Sequence, residues 1–408
     1  MGRERRYDLL GVSLLVVACL ADGCDPTGRE GGAGVAEDAS GPVDTTVRMD
    51  FSSEVDLRDD TGQRDAALED AAAGDTTPPD DALANDAGGG TAGSNLCERV
   101  GLGNNADLGG ENLFPADSYW NRKVENAPVD PNSDAIIDSI GANTGLHPDF
   151  GCCYMGTFGI PYTVVDESTP EVPVSFRYAD ESDPGPYPIP PDAPIEGGEE
   201  ATGDRHVLVL DCAERKLYEI FDAHKQSDGS WQAGSGTIWD LDEEPVREPY
   251  CTSADAAGLP LLPGLARYDE ASAGKIDHAL RFTVEETRKA FVRPPASHWA
   301  SDKTSSDLPP MGMRVRLKSD ADLKADGVDP SQFHPQVAAV VDALQTYGMI
   351  LADNGSDWYV SGMPHRKWND GKLVGQLEQI KGKHFEVVEM KNVVDDRSVG
   401  SGSCQLGP

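Results

Sequence analysis

The chain has 408 residues, and 71 Asp and Glu against 34 Lys and Arg leave a formal charge of −37. A surface so acidic has no counterions to release from a phosphate backbone, which argues against nucleic acid as a partner. Apolar residues make up 38% of the chain, below the usual share for a compact domain, so part of it is expected not to fold. No Walker loop, dinucleotide fingerprint, HExxH or GxSxG is present. No cofactor is therefore expected, and no complete motif names a reaction.

Residues 1–24 read MGRERRYDLLGVSLLVVACLADGC. Arg3, Arg5 and Arg6 precede an apolar run from Leu9 to Ala18. That run is too short to span a bilayer, which needs about 20 residues, and it has the length of a signal-peptide core. It closes on Val16-Val17-Ala18-Cys19, which resembles the lipobox of bacterial lipoproteins. The resemblance implies cleavage after residue 18, a lipidated Cys19 and membrane association through that lipid. With Leu20 following, it also implies sorting to the outer membrane or cell surface. Leu20-Ala21-Asp22-Gly23-Cys24 is a second box, weakened by the charge of Asp22.

Residues 25–95 carry roughly 17 acidic and 4 basic side chains and one aromatic, Phe51. With almost nothing to bury, such a segment cannot offset the entropy of ordering, and self-repulsion extends it. Residues 19–95 are thus expected to form a disordered acidic tether that holds a domain away from a membrane.

Composition changes after residue 95. All six tryptophans and all but one phenylalanine follow, so residues 96–408 are expected to form one folded domain. In chain order, Asp134 to Ile140 reads as a helix stopped by Gly141. Val172 to Tyr178 alternates in period two, with Pro173 confining it to a sheet edge. His206 to Asp211 is a continuous apolar run, and Arg215 to Phe221 follows after a short turn as its hairpin partner. Thr237 to Leu241, His278 to Val284 and Met313 to Leu317 read as further strands. Gln336 to Tyr347 is an amphipathic helix with Pro335 in its first turn and Gly348 behind it. Met349 to Ala352 and Trp358 to Val360 flank Asp353-Asn354-Gly355-Ser356, a hairpin signal because Asn-Gly accepts positive φ. Leu373 to Ile380 reads as a helix and Phe385 to Val388 as a last strand. The expectation is a β-rich α+β domain, a large antiparallel β-sandwich or barrel-like fold with few helices.

Six cysteines fall in this region, and an exported chain oxidises them. Cys97 and Cys404 mark its two edges. Cys212 and Cys251 are expected to pair as the most local option available to either, the competing arrangement being Cys212 with Cys152 or Cys153, since six cysteines allow fifteen connectivities. CxxC-like spacing is missing, so no metal site is expected.

Three segments draw attention by composition. Asp204-Arg205-His206 gathers charge where a buried strand begins, and Glu196 is a carboxylate upstream of it. His278 and Arg281 occupy opposite faces of one strand, so one of them needs a buried partner. His298 beside Trp299 offers a donor next to a flat apolar face, suited to a sugar. Asp255 sits in an apolar Gly/Pro-flanked loop, where burial would raise its pKa. The candidate catalytic set is Asp204, His206, Asp255, His278, Arg281 and His298, with Trp299 and Trp358 as substrate contacts. Phrases such as TSADAAGLPLLPGL, HALRFTV and YGMILADNGSDWYVSG resemble uncharacterised secreted bacterial proteins, a likeness that carries no activity. The expectation is an exported cell-envelope lipoprotein whose β-rich domain binds or hydrolyses extracellular polysaccharide. The alternative is a non-catalytic surface adhesion or scaffold lipoprotein with structural histidines.

Overall fold

The computed structural model describes residues 95–152, 158–395 and 404–406. The expected leader, Cys19, Cys24, the expected tether as far as residue 94, and Cys153 lie outside the described residues. Among the described residues no helix is long and apolar enough to cross a membrane.

The domain is β-rich, with sixteen strands and five α-helices among the described residues. The strands are β1 (Gly103–Asn104), β2 (His147–Asp149), β3 (Tyr162–Val165), β4 (Val174–Phe176), β5 (Val207–Asp211), β6 (Lys216–Phe221), β7 (His224–Lys225) and β8 (Trp231–Ala233). They continue as β9 (Ser235–Asp240), β10 (Leu280–Val284), β11 (Ala290–Val292), β12 (Arg314–Leu317), β13 (Met349–Asn354), β14 (Tyr359–Ser361), β15 (Phe385–Val387) and β16 (Val393–Asp395). The helices are α1 (Ser133–Ile140), α2 (Tyr268–Ala273), α3 (Asp320–Ala325), α4 (Pro335–Thr346) and α5 (Asp370–Leu377).

Sheet I has the order β1-β3-β5-β6-β9, and sheet II the order β15-β12-β13-β10-β14-β2. A three-stranded sheet, β4-β8-β7, and the β11-β16 pair complete the fold. The ladders are mixed: β3–β5, β4–β8, β10–β13 and β14–β2 run parallel within otherwise antiparallel sheets.

Alternation explains how sheet I is covered. Leu208, Leu210 and Leu217 point into the main core. Val207, Val209, Tyr218 and Ile220 point the other way, where Trp231 and Ala233 of the small sheet close a second core. The strand beginning at Val174 lies at a sheet edge, as Pro173 requires. The β5–β6 hairpin forms in the expected register, Val207 opposite Ile220.

One local expectation fails. β13 and β14 do not pair with each other, because β10 inserts between them, parallel to β13 and antiparallel to β14. The intervening Gly355 N–H donates to Val284 O of β10 instead. The Asn-Gly turn does not form either: Asn354 ends β13, neither Asn354 nor Gly355 has positive φ, and the chain turns at Asp357 and Trp358, where Trp358 has φ +60°.

The disulfides also differ from expectation. Cys212 bonds Cys97 and Cys251 bonds Cys404, in place of a Cys212–Cys251 bridge. Each closes a long loop, 115 and 153 residues apart in sequence, so proximity along the chain did not choose the partner. The bridges tie both domain edges to the β5 and Asp255 regions, and they indicate an oxidising, extracytoplasmic environment.

Candidate active site

One face of sheet II is polar. Arg281, Ser361 and Asp149 stand in one cross-strand row over β10, β14 and β2, and Thr283, Tyr359 and His147 form the next. The opposite face carries Phe282, Val360 and Leu351, which join the core. Strict alternation would send Asp353 to that apolar side with Leu351. A β-bulge prevents it: Phe282 pairs with Leu351 but Thr283 pairs with Asp353, leaving Ala352 extra. Bulges re-aim a side chain in this way, and here the result is a carboxylate on the polar face.

The loop bearing Asp255 packs over this face. Ala257 N donates to the carbonyl of the bulge residue Ala352. Ser253 Oγ bonds Leu259 O and accepts from Asp255 N, so the loop is knitted internally. Gly258 has φ +72°, and a Cβ there would meet Ser297 Oγ at 2.0 Å. Gly264 lets the chain lie against Trp120 and the Arg281 Cβ, which a side chain would strike at 2.6 and 3.0 Å. Beneath the loop, buried Glu219 of β6 accepts from Leu261 N, Leu262 N and Trp239 Nε1. Burial still pushes its carboxyl up to about 7.

Asp255 is 1% exposed and Arg281 4%. Arg281 Nη2 donates to Asp255 Oδ1 at 3.0 Å, and its Nη1 donates to Ser361 Oγ at 2.7 Å. Burial raises the Asp255 pKa as expected, although the Arg281 guanidinium opposes the shift. Asp255 therefore orients Arg281 rather than reaching solvent.

His206 faces the same assembly from the start of β5. Its Nδ1 lies 2.6 Å from Glu196 Oε2 and its Nε2 lies 3.1 Å from Ala254 O. Both neighbours only accept, so both ring nitrogens donate and the ring is an imidazolium. Burial disfavours that charge, but the Glu196 carboxylate outweighs it and holds the pKa at about 9. Burial likewise opposes ionisation of Glu196, yet the His206 charge and hydrogen bonds keep its pKa below the ordinary carboxylate value. Arg205 secures the intervening loop: its guanidinium donates to Glu199 O, Ala201 O and Ala223 O.

Asp353 and Asp149 behave oppositely to Glu196. Burial pushes the Asp353 carboxyl up to about 7, Asp255 and Asp204 adding to the shift and Arg281 opposing it. Burial first, then the Glu196 charge, raises Asp149. Yet Asp149 is exposed, and Glu196 and Asp353 are partly so. These carboxyls are crowded by protein while still reached by solvent. Asp204 and Arg281 each act electrostatically on Asp149, Asp353 and His206, and the stacked rings of His147 and Tyr359, 4.2 Å apart, stand in the adjoining row of the same face.

Of the residues singled out from sequence, Asp204, His206, Asp255, Arg281 and Glu196 come together here. His278 does not. It precedes β10 and meets Glu270 Oε2 at 3.1 Å beside the buried Arg267–Glu270 pair. His298 lies behind the Asp255 loop, bonded to Ala256 O, and burial lowers its pKa. Trp299 packs edge-on to Tyr250 at 5.5 Å. Trp358 is fully buried, stacked between Phe282 and Phe385 with Nε1 on Gly141 O, so it is a core residue and not a substrate contact. Asp149, Asp353 and Ser361 escaped the sequence reading. The available signal was an acidic residue one step beyond an apolar strand, in HPD and ILADN, which also describes an ordinary turn.

Among the described residues no group of three His, Cys, Asp or Glu side chains is placed to hold a metal. No known protein family, curated protein or solved structure matches the chain.

Proposed function

We propose that the domain hydrolyses extracellular glycan by carboxylate acid–base chemistry, with Asp353 as proton donor. The observation that supports this reading is the split between carboxyls gathered around Arg281. Glu196 is held ionised by His206, whereas Asp353 titrates at about 7 and carries a proton near neutral pH. Groups whose environments push their pKa values apart divide naturally into acid and base. In this reading Asp353 protonates the leaving glycosidic oxygen. Asp149 or Glu196, as a carboxylate, activates water or attacks the anomeric carbon. Arg281 and His206 offset the negative charge this gathers, and the Tyr359–His147 pair offers a flat face for a sugar ring.

The domain is carried outside the cell on an acidic tether, anchored by lipid at Cys19, in the outer membrane or at the cell surface. Cys19→Ala should then leave the precursor uncut.

The test of activity is a polysaccharide panel assayed for reducing ends and for retardation in affinity gels. Asp353→Asn should lower turnover by about 100-fold or more, with the alkaline limb of the wild-type profile near pH 7. Retardation without reducing ends, insensitive to Asp353→Asn, would replace the enzyme by a surface-binding module. Neither signal on any polysaccharide would remove the glycan reading.

A further inference from the structure

A concavity opens on the same face of sheet II, across β13 from Arg281. Arg314 of β12 pairs with Ile350, which in turn pairs with Arg281. Two strand spacings, about 10 Å, therefore separate Arg314 from Arg281. The cavity holds about 280 Å³, and Arg122, Lys123, Arg293, Arg314 and Lys391 line it. Among its described lining residues the one carboxylate is Glu389, already ion-paired with Lys391 at 3.6 Å. Five cations around one small cavity stand out on a chain of net charge −37.

Arg314 is the innermost of these cations. Its Nε donates to Tyr347 O at 2.8 Å, and its Nη2 is buried with no hydrogen-bond partner among the described residues. Buried donors are almost always met. The neighbours do not compensate: burial, and then the Arg122 charge, drive the Arg314 pKa down to about 9. Burial also lowers Arg293, whose Nη1 donates to Arg247 O. Arg122 lies over the Tyr119 ring at 4.7 Å and donates to Asp117 O, and it is exposed at the rim.

We infer that this pocket binds a small ligand through an oxyanion, a carboxylate, sulfate or phosphate group, with Arg314 as its innermost cation. Arg122, Arg293 and Lys391 supply the remaining positive charge, and the volume is at the lower end of small-molecule sites. The inference is independent of glycan hydrolysis, because it concerns other side chains and is read by binding alone.

Calorimetric titration of the full chain with sodium sulfate, inorganic phosphate and sodium glucuronate tests it, at an ionic strength held constant with sodium chloride. Saturable binding is expected for at least one probe, and the tightest identifies the headgroup. Arg314→Met and Arg122→Glu should each weaken that binding about tenfold or more. Thermal unfolding checks that both variants fold. Should Arg314→Met not fold, Arg122→Glu and Lys391→Glu at the exposed rim carry the test. No saturation with any of the three probes, or equal affinity in every folded variant, overturns the site.

Discussion

Replacing Asp353 with Asn should make the domain more stable, and only above a certain pH. In the fold the Asp353 carboxyl titrates at about 7 rather than the ordinary 3.8. A difference of that size corresponds to about 4 kcal/mol between protonation states. Because Asp353 keeps a partial opening to water, solvent screening reduces the figure to about 2 kcal/mol. The sign follows from linkage. Below about pH 4 both folded and unfolded chains hold the proton, so wild type and variant should be equally stable. Between about pH 4 and 7 the unfolded chain ionises and the folded chain does not, so wild-type stability falls as pH rises. Above about 7 the whole penalty stands, and Asp353→Asn removes it while keeping an oxygen for the Asn354 N–H. Urea denaturation of the disulfide-intact proteins near pH 4 and near pH 8.5, with unchanged m-values, measures the difference. A variant less stable than wild type at the higher pH would refute the reasoning, as would a gain of the same size at both. Stability gained while turnover is lost is the expected mark of a strained functional group.

Two further outcomes follow from the same geometry. Burial alone would lower the His206 pKa, but Glu196 raises it to about 9. The pair should therefore stabilise the fold fully between about pH 4.5 and 6.5, lose that contribution as pH rises through 9, and lose it also at acid pH as Glu196 protonates. Glu196→Gln should lower the His206 titration midpoint, observed by ring-proton NMR of the native protein, and flatten that pH dependence; an unchanged midpoint would show that Glu196 is not the cause. Non-reducing peptide mapping should recover Cys97–Cys212 and Cys251–Cys404, and Cys251→Ser should cost about 5 kcal/mol in urea denaturation, the loop-closure value for so long a span. A peptide joining Cys212 to Cys251 would contradict the structure.

Much of the secondary structure was legible because it depends on neighbours in sequence. Val207 to Asp211 and Lys216 to Phe221 pair across a tight turn, so apolar runs and turn residues suffice to place them. Helix α4 follows from its 3.6-residue spacing, with Pro335 and Gly348 at its ends. A reversal between β13 and β14 was equally legible, but it falls at Asp357-Trp358 rather than Asn354-Gly355, and both strands pair with β10 rather than with each other. A turn signal reports backbone conformation over four residues and says nothing about which strand arrives between its flanks.

The candidate site divides in the same way. Charged residues at the ends of apolar runs, Asp204, His206, Asp255 and Arg281, attracted attention because a buried charge demands a partner. That demand was visible; the partner was not. His278 met the same criterion and found Glu270 in a different place, and Trp358, prominent beside a turn, proved to be core. Asp353 was hidden for a sharper reason. Its face depends on one extra residue in β13 relative to β10, and register is a property of two strands.

From the sequence by itself come the β-rich class, the strong acidity and the strand and helix positions, because composition, periodicity and capping are local. Tertiary structure alone decided the rest: the mixed ladders, the long-range disulfides, and the bulge that turns Asp353 toward Arg281. It also set the pKa values that separate Glu196 from Asp353, since these depend on burial and on charges brought together from segments more than 100 residues apart. Two carboxylates with the same solution chemistry become different groups only once the fold has chosen which one His206 faces.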